Sequence, residues 1–133
     1  MEQQAILVVE DTAAIAEMIV AILNDTPHYR ATAVGNGNQA LHLLGTVRVD
    51  LVLLDINLPG ISGVAIHDLL RGRDETATVP ILFMTAGDHR AEFARREVRD
   101  WLAKPFDLDD LLRRVASLLG AGGNGGLIPV RAR

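Results

Sequence analysis

Apolar residues form short runs that alternate with segments in which they recur at helical spacing. The runs have the length of strands, and several lack the polar–apolar alternation of a strand that faces water. They lie at residues 5–9, 29–34, 50–55, 80–85 and 99–103. Between them, spacings of three and four residues mark single helical faces, as from Ile15 to Ile22. Five strand–helix units in series predict an α/β fold, a doubly wound five-stranded parallel sheet between two helical layers.

Local signals predict where the helices begin and end. Asp11 or Thr12 can cap the first helix. The third helix is predicted over about residues 62–71, and the charged segment 88–97 is predicted to be the fourth. Leu108 to Leu119 carry the apolar face of the last helix.

The helical pattern stops at Gly120, and five glycines fall within residues 120–126. Such a run has high backbone freedom. The sequence therefore predicts one domain, residues 1–119, followed by a flexible glycine-rich tail, residues 120–133.

Composition narrows the classes of function. The chain has 133 residues with 49% hydrophobic and 23% charged residues, typical of one ordinary domain. It has no cysteine, which excludes disulfides, thiolate metal sites and cysteine nucleophiles. The net charge of −4 argues against a nucleic-acid-binding face. No apolar run approaches the roughly 20 residues that span a bilayer, and the N-terminus lacks signal-peptide features. We expect a cytoplasmic protein without nucleic-acid or membrane partners.

Polar residues follow four of the predicted strands. Glu10 and Asp11 follow the first strand, Asp55 ends the third, Thr85 ends the fourth and Lys104 follows the fifth. In an open parallel sheet, ligands bind outside the carboxyl ends of the strands. Three carboxylates gathered there require a cation, and Mg²⁺ prefers oxygen ligands. A carboxylate beside Mg²⁺ and a lysine can attack a phosphoryl donor and become an aspartyl phosphate.

At these residues the sequence resembles the receiver domains of two-component response regulators, in particular single-domain chemotaxis regulators. The motifs are VVEDT at 8–12, LLDINLPGISG at 53–63, FMTA at 83–86 and LAKPF at 102–106. Each motif alone is weak, but together and in this order they are specific. The resemblance covers about residues 4–119 and implies the flavodoxin-like (βα)5 fold.

The resemblance implies a role for each matching residue. Asp55 corresponds to the phospho-acceptor, and Lys104 to the ammonium that meets the phosphoryl group. Glu10 and Asp11 correspond to the acidic pair that holds Mg²⁺ together with Asp55 and the backbone carbonyl of Asn57.

Three further residues correspond to the family's switch. Thr85 matches the hydroxyl that moves towards the phosphoryl group and completes the catalytic set with Asp55 and Lys104. Trp101 occupies the place of the switch aromatic. Pro105 matches the proline that follows the lysine, often through a cis peptide bond.

The implied function is a phosphorylation switch. The donor is a histidine kinase or a histidine phosphotransfer protein, Mg²⁺ is the cofactor, and a downstream protein reads the altered surface. Such a domain is not an enzyme beyond catalysing its own phosphorylation and dephosphorylation. We expect a monomer or a weak dimer.

The segment between Thr85 and Lys104 departs from the family pattern. It is about three residues shorter than usual, and Glu97-Val98 replaces the common Gly-Ala pair. Trp101 is also larger than the usual tyrosine or phenylalanine. We therefore expect the fourth helix to be partly melted or reoriented within the output surface, residues 86–101.

Two other functions stay open. The altered fourth-helix region favours a binding module that no longer uses phosphate. An enzyme is the third reading, but an aspartate-nucleophile phosphohydrolase typically has a second aspartate where Asn57 stands. The sequence has no G-x-x-x-x-G-K-S/T loop, and no G-x-G-x-x-G follows the first strand.

Simpler structural roles also compete at single positions. In the simpler interpretation, Asp11 serves merely as a helix cap, and Asp55 merely forms a salt bridge with Lys104.

The chain also has side chains with no predicted function. We interpret four scattered histidines as surface or boundary residues and three apolar side chains as core fillers. The former are His28, His42, His67 and His89, and the latter are Met18, Met84 and Leu44.

Overall fold

Strands and helices alternate strictly along the chain. The structure, a computed structural model, describes residues 3–122. Its strands are β1 (Gln4–Val9), β2 (Tyr29–Val34), β3 (Leu51–Asp55), β4 (Ile81–Thr85) and β5 (Trp101–Ala103). Its helices are α1 (Ala13–Asn24), α2 (Gly37–Leu44), α3 (Gly63–Arg71), α4 (Arg90–Arg95) and α5 (Leu108–Gly122).

All five strands are parallel and lie in the order β2-β1-β3-β4-β5. This arrangement confirms the predicted doubly wound fold. The direction of strand order reverses at β1, so the sheet has its topological switch point between β1 and β3. Ligands bind at such points, outside the carboxyl ends of the strands.

The sheet separates two apolar cores, and β3 contributes to both. Leu51 and Leu53 pack in the core formed with α1 and α5, whereas Val52 and Leu54 pack in the core formed with α2, α3 and α4. All five residues of β3 are buried. Helices on both faces explain why this strand is apolar without alternation.

The turn after β1 is held differently from the prediction. Thr12 occupies the N-cap position of α1, but its side chain accepts no hydrogen bond from the helix. Instead, Oε2 of Glu10 accepts a bond of 3.1 Å from the backbone N–H of Thr12. The prediction that the Thr12 side chain caps α1 was therefore wrong. The backbone N–H of Thr12 that bonds Glu10 is a separate donor from those that a cap would bond. By contrast, Ser62 caps α3 by accepting from Ala65 N–H.

The fourth helix is shorter than predicted. It covers six residues rather than the expected segment 88–97 and ends in a Schellman motif. Val98 N–H donates to the carbonyl of Phe93, and Glu97 N–H donates to that of Ala94. Glu97 takes the left-handed conformation there, with φ +59°. This is the conformation that favours the glycine expected in the family pattern.

The last helix continues to Gly122, three residues beyond the predicted end of the domain at residue 119. The rest of the predicted tail, residues 123–133, lies outside the described residues. Within residues 3–122, no helix has both the length and the apolar character that crossing a membrane requires.

Two predictions about burial were wrong. His67 is only 6% exposed, because α3 turns it towards Phe83 in the core. Met18 is 44% exposed, since its position on α1 lies outside the face that carries Ala16, Ile19 and Leu23. Met84 and Leu44 are buried as predicted.

Candidate functional site

Strand register brings the predicted site residues to one edge of the sheet. Val9 of β1 lies beside Leu54 of β3, so Glu10 and Asp55 follow as neighbours. Asp55 in turn lies beside Met84, and Thr85 lies beside Ala103. Residues far apart in sequence therefore meet where β1, β3, β4 and β5 end.

Three carboxylates form the centre of this edge. Glu10, Asp11 and Asp55 each place a carboxylate oxygen within 4.8 Å of the other two. Glu10 and Asp55 are buried, with 2% and 3% of their surface exposed, whereas Asp11 faces solvent. An all-oxygen donor set that is open on one side suits Mg²⁺, which keeps several of its waters.

One ammonium group neutralises part of this charge. Nζ of Lys104 lies 2.8 Å from Oε1 of Glu10 and 3.0 Å from Oδ2 of Asp55. With Asp11 included, three carboxylates face one ammonium, which leaves a formal charge of about −2. A single divalent cation balances that charge, so the residues present fit Mg²⁺ in charge as well as in donor type.

Burial and pairing shift the ionisation of this group. Burial raises the pKa of Glu10, and the hydrogen bonds from Lys104 and from Thr12 N–H only partly oppose that rise. Burial also disfavours the charged form of Lys104, but its bonds to Glu10 and Asp55 outweigh burial and raise its pKa. Lys104 is therefore held as an ammonium at neutral pH.

The remaining oxygen of Asp55 is oriented by the loop after β3. Its Oδ1 accepts a hydrogen bond of 3.0 Å from the backbone N–H of Asn57. Oδ2 is held by Lys104, so both oxygens have a fixed partner. The carboxylate is thus oriented before any ligand arrives, as a nucleophile in phosphoryl transfer must be.

Thr85 is buried, but its hydroxyl is engaged within the loop after β4. The hydroxyl accepts from Gly87 N–H at 3.0 Å and donates to the carbonyl of Gly87 at 3.3 Å. The backbone of Thr85 is tied to the other side of the site, since its carbonyl accepts a bond of 2.8 Å from Lys104 N–H.

The two other predicted switch residues lie on or beside β5. Trp101 is half-buried, and its ring packs against Phe93 of α4 with a centroid distance of 4.7 Å. The peptide bond between Lys104 and Pro105 is cis, as the family resemblance implies.

Sequence reasoning overlooked Gly63, which fixes the distance between α3 and Asp55. A Cβ atom at Gly63 would lie 2.5 Å from the backbone oxygen of Asp55 and 2.7 Å from Cα of Ile56. Only glycine therefore allows α3 to begin against the end of β3. Its signal was the second glycine of the LPGISG segment.

The fold and site define a doubly wound α/β domain with an acidic, lysine-containing centre at the carboxyl edge of its sheet. The family model for the response regulator receiver domain matches residues 6–116. The chain therefore belongs to the response regulator receiver domain family, which confirms the resemblance identified in the sequence.

Similar proteins agree with this assignment. The DNA-binding response regulator MtrA of Mycobacterium tuberculosis is 35% identical over 120 residues, which cover 88% of this chain and 51% of MtrA. The chain thus spans about half the length of the curated relatives it matches. A sensor histidine kinase receiver domain from Pseudomonas aeruginosa, solved with a magnesium ion coordinated in the active site cleft, is 31% identical. Its TM-score is 0.76, with 89% of this chain and 98% of that chain covered.

The response regulator TrrA of Thermotoga maritima, solved in complex with Mg(2+)-BeF, gives a TM-score of 0.78 at 31% identity. That match covers 87% of this chain and 99% of TrrA. Both structural neighbours thus contain Mg²⁺.

Proposed function

We propose that this receiver domain is switched by phosphorylation of Asp55. The main support for the proposal is that the ammonium of Lys104 contacts two carboxylates of the cluster, Asp55 and Glu10. A purely structural ion pair needs only one of those carboxylates. A second buried carboxylate and a solvent-facing third are instead suited to a cation and a phosphoryl group.

The step is a phosphoryl transfer from a phosphohistidine of a histidine kinase or phosphotransfer protein. A carboxylate oxygen of Asp55 forms a bond to phosphorus, and the bond between phosphorus and the imidazole nitrogen breaks. The electron pair of that bond stays with the imidazole, which takes a proton from solvent. Lys104 contributes positive charge beside the oxygens of the transferring group.

Glu10, Asp11, Asp55 and the backbone carbonyl of Asn57 would hold Mg²⁺. When bound, the ion supplies the positive charge that offsets the negative phosphoryl oxygens. The fit rests on the all-oxygen donor set and on its residual charge. The two magnesium-containing neighbours support the same cofactor.

The switch follows from the position of Thr85. Its hydroxyl bonds Gly87 in the unphosphorylated structure, and we expect it to turn towards the phosphoryl group on Asp55. That movement frees the loop after β4 and alters the surface formed by residues 86–101, including Trp101. A downstream protein then binds the altered surface. We place the receiver domain in the cytoplasm, as a monomer or a weak dimer.

The test is the intact mass of the protein after incubation with Mg²⁺ and acetyl phosphate. We expect one added phosphoryl group, lost in Asp55→Asn and in the presence of a chelator. Asp25→Asn, which removes an exposed aspartate at the end of α1, is the matched control and should label normally. Labelling of the Asp55→Asn protein at the wild-type level would refute the site. No labelling of folded wild-type protein would favour the phosphorylation-independent binding module.

A further inference from the structure

Four rings form a continuous stack that crosses the α4 side of the sheet. Trp101 of β5 packs on Phe93 of α4, with 4.7 Å between ring centroids. Phe93 packs on Phe83 of β4 at 5.0 Å, and Phe83 packs on His67 of α3 at 5.5 Å. Phe93 is 1% exposed and Phe83 is fully buried, so the two middle rings have little room to move independently. The packing of the Trp101 ring therefore depends on where α4 holds Phe93.

The helix that carries Phe93 has little stability of its own. It has six residues, too few for a helix to persist in water without tertiary contacts. The side chain of its N-cap residue, His89, accepts no hydrogen bond from the helix. Its position must therefore be fixed by contacts with the rest of the domain.

A two-pronged ion pair provides such a contact. Nε and Nη2 of Arg96 donate to Oδ1 and Oδ2 of Asp68 at 2.8 and 2.9 Å. Nη1 of Arg96 also donates to the carbonyl of Glu92, at 3.0 Å, within α4. The guanidinium therefore ties α4 to α3 across 28 residues of sequence. Bidentate geometry is the stronger and more directional form of this pair.

The same aspartate reaches the far end of the ring stack. Oδ1 of Asp68 lies 3.1 Å from Nδ1 of His67, the ring that packs on Phe83. Arg96 holds the pKa of Asp68 at about 2, so its carboxylate stays ionised. Asp68, a residue of α3, thus contacts His67 at one end of the stack and binds Arg96 at the end of the helix that carries Phe93. The ion pair and the rings therefore form one connected unit.

We propose that Asp68 and Arg96 form a clamp between α3 and α4 that holds Phe93 against Trp101 and keeps Trp101 packed on α4 in the unphosphorylated domain. Both are positioning residues, since neither lies at the carboxylate cluster. The consequence for signalling rests on the proposed function: the clamp favours the resting arrangement of the 86–101 surface. By linkage, opening the clamp favours phosphorylation to the same extent that phosphorylation favours its opening.

Trp101 allows a direct test, because it is the only tryptophan of the chain. Its emission maximum and its quenching by acrylamide are measured in wild type, Asp68→Asn and Arg96→Gln, without any phosphoryl donor. We expect a red shift and a larger quenching constant in both variants. Asp25→Asn is the control, because Asp25 is exposed and ends α1, on the opposite face of the sheet from α3 and α4.

A variant with the two charges exchanged distinguishes loss of the ion pair from other effects of each substitution. Asp68→Arg combined with Arg96→Asp should bring the fluorescence back towards wild type. Circular dichroism identifies any variant that fails to fold, and the swap then supplies the decisive comparison. Folded single variants with the quenching constant of wild type would overturn the clamp.

Labelling rates then test the link to phosphorylation. With acetyl phosphate and Mg²⁺, Asp68→Asn and Arg96→Gln should label Asp55 faster than wild type and Asp25→Asn. Equal rates despite altered fluorescence would refute the link between clamp and switch. Absence of labelling in every variant, including wild type, would instead refute the proposed function, while the fluorescence result still decides the clamp.

Discussion

Lys104 and Asp55 form an ion pair of 3.0 Å that joins the end of β5 to the end of β3, across 49 residues of sequence. The carboxylate is buried, and 18% of the lysine side chain is exposed. The same ammonium also bonds Glu10, so one cation pairs with two buried carboxylates. The pair therefore has a structural role as well as a proposed chemical one, and the two can be measured separately.

Replacing Lys104 by methionine should destabilise the domain in the absence of Mg²⁺. The change leaves Glu10 and Asp55 buried without their cation. We expect a loss of about 2–3 kcal/mol in the free energy of unfolding, less than for a fully enclosed pair. Urea unfolding gives the value, and Mg²⁺ should restore more stability to this variant than to wild type. A variant as stable as wild type without Mg²⁺ would show that the pair contributes nothing to folding.

Mg²⁺ should stabilise wild type and lose that effect in Asp11→Asn. Asp11 is exposed, so its replacement leaves the packing intact while removing one of three carboxylates. A ligand at about ten times its Kd stabilises the folded state by about 1.4 kcal/mol. Thermal unfolding with and without Mg²⁺ measures this, with Asp25→Asn as the control. An equal shift in wild type and Asp11→Asn would remove Asp11 from the binding site.

Much of the fold could be predicted because strands covered by helices on both faces appear in the sequence as short apolar runs without alternation. The second strand lies at residues 29–34 in both prediction and structure, and the third differs by one residue. The polar residues that end these strands then had to meet at one edge, since parallel strands share their direction. Glu10, Asp11, Asp55 and Lys104 were placed together by this reasoning alone.

Contacts between distant helices could not be predicted in the same way. His67 packs on Phe83, and its neighbour Asp68 pairs with Arg96. Neither contact appears in a local pattern. The bond from Thr12 N–H to the Glu10 carboxylate was not predicted either. Contacts of this kind depend on how the folded structure orients each side chain.

Adding a methyl group at Gly63 should disturb the site through the backbone. The new Cβ would meet the backbone oxygen of Asp55 and Cα of Ile56, neither of which can rotate away. We expect Gly63→Ala to cost about 1–3 kcal/mol of stability and to slow labelling of Asp55. Gly120→Ala is the control, because a Cβ there meets nothing within 4 Å. It should raise stability by about 0.5–1 kcal/mol, as alanine does within a helix. Similar effects of the two substitutions would contradict the close approach.

Stability should depend on pH through His67. Burial lowers the pKa of His67 below its usual 6.5, although its bond to Asp68 opposes this. The unfolded chain therefore binds the proton at a higher pH than the folded one, and stability falls as the pH drops below about 6.5. Urea unfolding between pH 7.5 and about 5 measures the slope. His67→Gln should flatten it, whereas the exposed-site variant His42→Gln should keep it. Equal slopes in wild type and His67→Gln would contradict the buried neutral ring.

Replacing Glu97 by glycine should stabilise the domain. Glu97 has φ +59°, a conformation that costs a residue with a side chain about 1–2 kcal/mol. Glycine adopts it freely but loses about 0.5–1 kcal/mol more backbone entropy on folding. We therefore expect a net gain of about 0.5–1 kcal/mol in urea unfolding, since the Schellman bonds of α4 are kept. Asp25, which ends α1 with φ −78°, is the control. Asp25→Gly relieves no left-handed conformation, so only the entropy cost of glycine remains and the variant should be less stable than wild type. A loss of stability in Glu97→Gly would mean that the Glu97 side chain contributes more than its backbone conformation costs.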